Sequence, residues 1–95
     1  MSQLERVEAQ LAFNEGRALY SQMSLSLYEE AIPNFTKAIQ LYSDYALAYF
    51  NRGVSYSNLG EYQNAIDDYT KAIKLDPDDA LAYSNRAAAL WELGQ

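Results

Sequence analysis

The fold is decided by residues 46–79, which read ALAYFNRGVSYSNLGEYQNAIDDYTKAIKLDPDD. Parts of this stretch recur on both sides of it at an offset of 34 residues. Its second half recurs upstream, where Tyr28, Ala31, Ile32, Thr36, Lys37, Ala38, Ile39 and Leu41 match Tyr62, Ala65, Ile66, Thr70, Lys71, Ala72, Ile73 and Leu75. Its first half recurs downstream, where Ala46–Tyr49, Asn51 and Arg52 return as Ala80–Tyr83, Asn85 and Arg86. A constant period of this length predicts a stacked repeat, in which each unit buries its apolar face against its neighbours.

Each unit has the spacing of two helices joined by a turn. The apolar residues of the second half follow the period of an amphipathic helix, namely Tyr62, Ala65, Ile66, Tyr69, Ala72 and Ile73. Gly60 lies between the halves, where a residue that tolerates positive φ ends one helix and lets the chain reverse. Pro77 stops the second helix, and Asp78 or Asp79 can cap the next one. No segment keeps the two-residue alternation of a strand for long.

These residues resemble the tetratricopeptide repeat (TPR), on the pattern Tyr49-x2-Arg52-Gly53-x2-Tyr56 followed by Ala65, Tyr69, Ala72 and Pro77. The small residues stand where helix backbones must approach closely, and the tyrosines fill the space between them. Arg52 and Arg86 replace the usual apolar residue, and we expect their stems to pack while their charged ends reach water. The resemblance implies an all-α fold, a right-handed superhelical stack of antiparallel helix pairs with about two and a half repeats and five helices.

We expect a single domain, 1–95, with repeat units at about 9–45, 46–79 and 80–95. The first unit has three extra residues, which we place in a turn within Ser21–Leu27, and Ser26 would cap the helix that follows. Ser2 and Glu5 form another capping box, which starts the first helix near Gln3. Pro33 predicts a kink or a lost hydrogen bond in the second helix. The third unit contains only its first helix and is truncated relative to the pattern.

Composition excludes several classes of function. The chain has 95 residues with 7 Lys and Arg, 13 Asp and Glu, no His and no Cys, so its formal net charge is −6. Scattered cations in an acidic chain argue against nucleic-acid binding. The missing His and Cys remove the commonest general base, the commonest metal ligands and a thiol nucleophile, so we predict no enzyme activity, metal or cofactor. The acidic pairs, including Asp67–Asp68, are interpreted as solvated helix surface. No signal peptide or membrane span is visible, from which we expect a cytoplasmic location.

The resemblance implies that the first helix of each pair lines an inner groove that binds a peptide or partner segment. These helices are expected near 3–22, 45–59 and 79–93. Their inward residues would be Gln10, Phe13, Asn14, Arg17, Tyr20, Leu47, Phe50, Asn51, Val54, Asn58, Leu81, Ser84, Asn85, Ala88 and Glu92. Asn14, Asn51 and Asn85 fall in equivalent places, and an asparagine amide can pair with one peptide unit of a bound chain. Alternatively, asparagine recurs with the repeat and bonds neighbouring backbone.

A second function is self-association through the incomplete last unit. Trp91, Leu90 and Leu93 would have fewer covering partners than their counterparts, which leaves an apolar face exposed. The chain would then be a structural module for assembly and a homo-oligomer through its C-terminal helix. A third possibility is a regulatory appendage of a larger multidomain protein. The identity of a protein or peptide partner cannot be derived from these residues.

Overall fold

The computed structural model describes the backbone of residues 2–94, and the side chains of these residues except 13 and 15–23. Within that part, four helices account for most of the backbone: α1 (Gln3–Leu41), α2 (Ala46–Asn58), α3 (Tyr62–Leu75) and α4 (Ala80–Glu92). Each helix packs against the next one along the chain, and α2 also touches α4. The predicted all-α stack is therefore confirmed, while its right-handed sense stays a prediction.

The turn between α2 and α3 forms at Gly60, as the sequence predicts. Gly60 has a φ of 80°, which lies in the left-handed region that favours glycine. The N–H groups of Gly60 and Glu61 donate to the carbonyls of Ser57 and Tyr56 at 3.0 and 2.9 Å. These bonds satisfy carbonyls that the end of α2 would otherwise leave free, and they turn the chain back along α2.

Two helix starts are also predicted correctly. The side chain of Ser2 accepts a hydrogen bond from the N–H of Glu5 at 3.1 Å, and α1 begins at Gln3. The carboxylate of Asp79 accepts from the N–H groups of Leu81 and Ala82 at 3.1 and 3.2 Å, and it caps α4. Each cap gives a partner to N–H groups that the first turn of a helix cannot satisfy internally.

The turn predicted within Ser21–Leu27 is wrong, because α1 runs through it as one helix of 39 residues. Ser26 therefore lies inside a helix and caps nothing, and the described chain has four helices rather than five. The first helices α2 and α4 end at positive-φ glycines, Gly60 and Gly94, whereas 21–27, the corresponding stretch of the first unit, contains no glycine or proline. Its Ser, Gln, Met and Leu residues all permit a helix. Pro33 lies within α1, where its missing N–H removes one backbone hydrogen bond without ending the helix.

Helix α1 sets the length of the molecule. A helix of 39 residues spans about 58 Å at roughly 1.5 Å per residue, and the longest dimension of the molecule is 59 Å. Leu4, Val7 and Leu11 in its N-terminal part are all exposed. In residues 2–94, no helix combines the length with the apolar composition that crossing a membrane requires.

The core lies where α2, α3 and α4 meet. Its buried centre consists of Ala65, Tyr69 and Ala89, which are each at most 2% exposed. Partly buried apolar residues surround this centre, namely Phe50, Val54, Tyr56, Tyr62 and Ile66. The small side chains let the helices approach, and the Tyr69 ring fills the space between them, as the sequence predicts.

Gly53 of α2 lies directly against the ring of Tyr69 on α3. A Cβ atom at Gly53 would lie 2.7 Å from Cε1 and 2.9 Å from Cδ1 of the Tyr69 ring. The ring is buried, so it has no free space into which to move. The missing side chain of Gly53 is therefore what allows Tyr69 to lie against α2.

Gly53→Ala should lower the free energy of unfolding by roughly 1–2 kcal/mol. Overpacking costs about 1–3 kcal/mol, and alanine returns about 0.5–1 kcal/mol through its better helix propensity. Ala87→Gly, at the equivalent but exposed position of α4, isolates the propensity effect and should cost about 0.5–1 kcal/mol. Urea unfolding followed by circular dichroism measures both changes, and a Gly53→Ala variant that is more stable than wild type would contradict this packing.

A bidentate ion pair ties α3 to α2. Nε and Nη2 of Arg52 donate to the two carboxylate oxygens of Asp68 at 2.8 and 2.7 Å. Nη1 of Arg52 donates to Oγ1 of Thr36 on α1 at 3.1 Å. The hydrogen bonds with Asp68 raise the pKa of Arg52 above its ordinary value, although burial opposes the shift. One guanidinium thus joins three consecutive helices.

This ion pair corrects two expectations from the sequence. Asp68 is only 4% exposed, so it does not belong to a solvated acidic surface, although its neighbour Asp67 does. The charged end of Arg52 reaches water only in part, because three of its five N–H groups donate to Asp68 and Thr36 and its side chain is 18% exposed. Burying a carboxylate costs less free energy when it is paired with a fixed guanidinium than when it has no partner.

Asp68→Asn should destabilise the protein by about 1.5–3 kcal/mol, because it strands the Arg52 guanidinium without its charged partner. Asp67→Asn on the exposed side of the same helix is the matched control and should change stability by no more than about 0.5 kcal/mol. Thermal unfolding of the two variants at neutral pH provides the comparison. Equal melting temperatures for both would show that the ion pair contributes nothing.

Candidate functional site

Two shallow clefts open along the helices. Each is lined both by the first helix of a repeat unit and by residues that belong to the second helix of a unit. Cleft 1, about 250 Å³, lies between the C-terminal part of α1 and α2, and its lining comprises Asn34, Phe35, Ala38, Tyr45, Leu47, Ala48 and Asn51. Cleft 2, about 270 Å³, lies between α2, α3 and α4, and its lining comprises Val54, Ser57, Asn58, Tyr62, Tyr69, Asn85, Ala88, Ala89 and Glu92. Both are smaller than the usual small-molecule pocket of about 300–1,000 Å³.

The clefts contain many of the residues that the sequence places on the inner groove. Leu47 and Asn51 line cleft 1. The residues of cleft 2 that were predicted to face inward are Val54, Asn58, Asn85, Ala88 and Glu92. The structure therefore places amides and apolar side chains together in each cleft.

Other predicted groove residues lie elsewhere. Phe50 packs on the core, with its ring centroid 5.9 Å from that of Tyr69 at an interplanar angle of 51°. Leu81 is 65% exposed and lines neither cleft. Asn14 is exposed on α1, where its Oδ1 accepts from Nε2 of Gln10 at 3.2 Å.

Phe13 and Arg17, two further predicted groove residues, have side chains outside the described set. Nothing in the described structure therefore bears on their contribution to a groove.

The three predicted groove asparagines that line the clefts differ in whether their side-chain amides already make a hydrogen bond. Nδ2 of Asn58 donates to the carbonyl of Val54 at 2.8 Å, which is the local backbone role considered as the alternative for asparagine. Among the described residues, the side-chain amide of Asn51 makes no hydrogen bond. The hydroxyl of Ser55 donates to the backbone carbonyl of Asn51 and not to its side chain. Asn85 lies beside the hydroxyl of Tyr69 in cleft 2. Asn51 and Asn85 thus keep hydrogen-bonding capacity for a bound chain.

Tyr69 connects the core to cleft 2. Its ring is buried, while its hydroxyl lies 3.3 Å from Oγ of Ser57 within the cleft. Burial raises the pKa of Tyr69, and hydrogen bonding to Ser57 and then Asn85 partly opposes that shift. The sequence predicts Tyr69 only as a core residue, and nothing in the repeat pattern indicates that its hydroxyl lines a cleft.

The 34-residue offset relates the aromatic residues of the two clefts to each other. Phe35 and Asn51 line cleft 1, and their counterparts Tyr69 and Asn85 line cleft 2. Both pairs join an aromatic residue of a second helix to an asparagine of the following first helix. The resemblance places the groove on first helices alone, so the aromatic member of each pair, which lies on a second helix, is not among the predicted residues.

The residues predicted for self-association differ in their exposure. Trp91 is 79% exposed, Leu93 is 38% exposed, and Leu90 is partly buried. By the offset of 34, Trp91 corresponds to Ser57, which lines cleft 2. The repeat thus relates Trp91 to a cleft-lining position, although Trp91 itself lines neither cleft. Self-association through these residues stays a prediction.

The stability of the protein should fall as pH rises above about 10, the ordinary pKa of tyrosine. In that range the unfolded chain releases the Tyr69 proton while the folded chain, with its raised pKa, retains it. The contribution of Tyr69 to stability is complete below its pKa in the unfolded chain, and it is lost as pH rises through its pKa in the folded chain. Tyr69→Phe removes this contribution. The melting temperature of wild type, measured relative to that of Tyr69→Phe, should therefore decrease between pH 8 and pH 11. A constant difference would refute the shift.

Comparison with protein families gives three overlapping matches. A tetratricopeptide repeat profile matches residues 46–79, a TPR repeat profile matches residues 16–60, and a further tetratricopeptide repeat profile matches residues 68–95. A search of curated proteins found no significant match. Repeats of this type are in general non-catalytic modules for protein–protein interaction.

Proposed function

Because this chain belongs to the tetratricopeptide repeat family over residues 16–95, we propose that it holds an extended segment of a partner protein along clefts 1 and 2. The module is non-catalytic. It acts by presenting two small, equivalent sites in a fixed relation to each other. Its binding residues are the cleft-lining members of the predicted groove, Leu47, Asn51, Val54, Asn58 and Asn85.

The observation that carries this proposal is the recurrence of one chemical arrangement in both clefts. Each cleft combines an aromatic ring with an asparagine amide, Phe35 with Asn51 and Tyr69 with Asn85. An amide offers a donor and an acceptor, so it can pair with a peptide unit whatever the side chain. The ring beside it provides an apolar wall for that side chain. Two such sites suit a chain molecule better than one compact ligand.

The lining also indicates the chemistry of the bound segment. Glu92 is the one charged side chain among the described cleft-lining residues, and all the others are amides, hydroxyl-bearing or apolar groups. The clefts are of a size for individual side chains rather than for a drug-sized molecule. We therefore expect a partner segment with small or medium apolar side chains and no acidic group at cleft 2, because Glu92 would repel it.

Asn51→Ala and Asn85→Ala should each weaken partner binding by about 1–3 kcal/mol, because each leaves a peptide group desolvated without a hydrogen bond. Asn14→Ala is the matched control, since Asn14 lies outside both clefts, and it should bind as wild type does. A binding peptide selected from a displayed library serves as the ligand, and calorimetric titration measures its affinity. Circular dichroism verifies that the variants are folded. Wild-type affinity in both cleft variants would eliminate the clefts as the site.

A further inference from the structure

The turn between α1 and α2 carries an exposed patch of aromatic and apolar side chains. Tyr42 is 68% exposed and Tyr45 is 44% exposed. Large apolar groups that lie next to each other at a protein surface mark interaction sites. We define the turn patch by the residues that line one shallow depression there, Leu41, Tyr42, Ser43, Asp44 and Tyr45.

The turn patch is continuous with cleft 1. Tyr45 lines both the depression and cleft 1, and Leu47 in the first turn of α2 also lines cleft 1. A segment bound in cleft 1 can therefore extend over the patch without leaving the protein surface. The corresponding turn between α3 and α4 has Asp76 and Asp79 in place of the two tyrosines, so the patch is not a general consequence of the repeat.

One carboxylate lies beside tyrosine rings at each end of the surface formed by the turn patch and the clefts. Asp44 stands between Tyr42 and Tyr45 in the chain and lines the same depression. At the other end, Glu92 lines cleft 2 together with Tyr62. Within the part of the chain that the structure describes, neither carboxylate takes part in an ion pair. Both are therefore available to a charged group of a ligand.

The cations of the chain lie on other surfaces. Among the described residues, no Lys or Arg lines the turn patch or either cleft. Instead, the guanidinium carbon of Arg52 and the ammonium nitrogen of Lys71 lie 5.7 and 6.0 Å from the ring centroid of Tyr49. A cation over a tyrosine ring is thus an arrangement that this protein uses elsewhere. The turn patch and cleft 2 have rings and carboxylates of the same kind without a cation.

We propose that the partner segment is basic at both ends of its contact, with one Arg or Lys side chain on Asp44 of the turn patch and a second one on Glu92 of cleft 2. The inference rests on the function proposed above, and it adds the charge and the spacing of the recognised residues. Each basic side chain pairs with a carboxylate while its apolar stem or guanidinium plane lies against a tyrosine ring.

The length of α2 sets the separation of the two basic residues. Tyr45 directly precedes α2, and Asn58 is the last residue of α2 and lines cleft 2 together with Glu92. The 13 residues of α2 span about 20 Å. An extended chain covers that distance in about six residues, so the basic residues are expected about six positions apart. Apolar residues between them face the clefts.

The overall charge of the chain favours the same partner. A formal net charge of −6 attracts a basic segment before contact and repels an acidic one. This general attraction steers association but defines no register, because its sources are spread over the surface. Asp44 and Glu92 supply the register, since each lies at one end of the contact. The experiment must therefore separate a local contact from the general field.

The probe is a peptide selected on the full chain from a displayed library of random sequence. Selected peptides should be enriched in Arg or Lys at two positions about six apart. In calorimetric titrations, Asp44→Asn and Glu92→Gln should each weaken binding of a selected peptide by about two- to fivefold, as expected of an exposed ion pair. The controls are Asp78→Asn, at the equivalent place in the next turn, and Asp67→Asn on the exposed side of α3, and both should bind as wild type does.

A charge reversal tests whether the contact is local. Asp44→Lys should weaken the selected peptide by about tenfold or more, and replacing the basic residue at that end of the peptide with Glu should restore the affinity. The same replacement at the other end of the peptide should not restore it. Tyr42→Leu keeps the apolar area but removes the ring, so it should weaken a peptide with Arg at that end and leave one with Gln there unchanged.

The outcomes distinguish this inference from the function on which it rests. If no peptide is selected, or if Asn51→Ala and Asn85→Ala bind the selected peptide as wild type does, the clefts are not the site and the inference falls with them. If those variants weaken binding but the selected peptides lack the paired basic residues, the clefts stand and the basic specificity is overturned. The same conclusion follows if each carboxylate variant has no more effect than its control, or if the reversed charges do not restore affinity.

Discussion

The contact between the bare backbone of Gly53 and the ring of Tyr69 is the constraint on which the rest of the structure depends. It brings α3 close enough to α2 for Asp68, the residue before Tyr69, to reach Arg52 at hydrogen-bond distance. It also buries the ring so that only its hydroxyl emerges, beside Ser57 in cleft 2. One close approach therefore sets the spacing of the helices, the buried ion pair and the polar lining of a candidate site.

The ion pair adds orientation to that spacing. Buried ion pairs contribute little net stability compared with apolar packing, because both groups lose their hydration. Their geometry is strict, however, since a bidentate pair forms in only one register of the two helices. Arg52 takes its position from Thr36 on one side and binds Asp68 on the other, so α2 is registered against α1 and α3 is registered against α2.

The sequence predicts the regular part of this fold well, for physical reasons that are local. Gly60 at a turn and Asp79 at a cap each act within a few residues, and the 34-residue period repeats such local signals along the chain. Helices α2, α3 and α4 follow from these signals. The turn expected in 21–27 is wrong because it rests on a count of residues alone, and that stretch lacks the glycine that ends α2 and α4, the first helices of the other units. The buried Asp68 was missed for a different reason: its partner is 16 residues away, and an acidic pair on a helix has the same pattern whether it faces water or a guanidinium. The asparagines of the groove were found because they recur with the period, but the aromatic side of each cleft comes from the other helix of the pair.

Cleft 2 is built on the same contact that sets the core. Tyr69 and Ala89 belong both to the buried centre and to the lining of the cleft, and the Tyr69 hydroxyl lies 3.3 Å from Oγ of Ser57 in that lining. The proposed groove would use the amide of Asn85 to pair with a peptide group, and such pairing is tolerant of sequence, since every residue of a bound chain has the same backbone. A cleft whose wall is also core has its side chains fixed before a ligand arrives, so a bound chain would lose little of its binding free energy to ordering that wall.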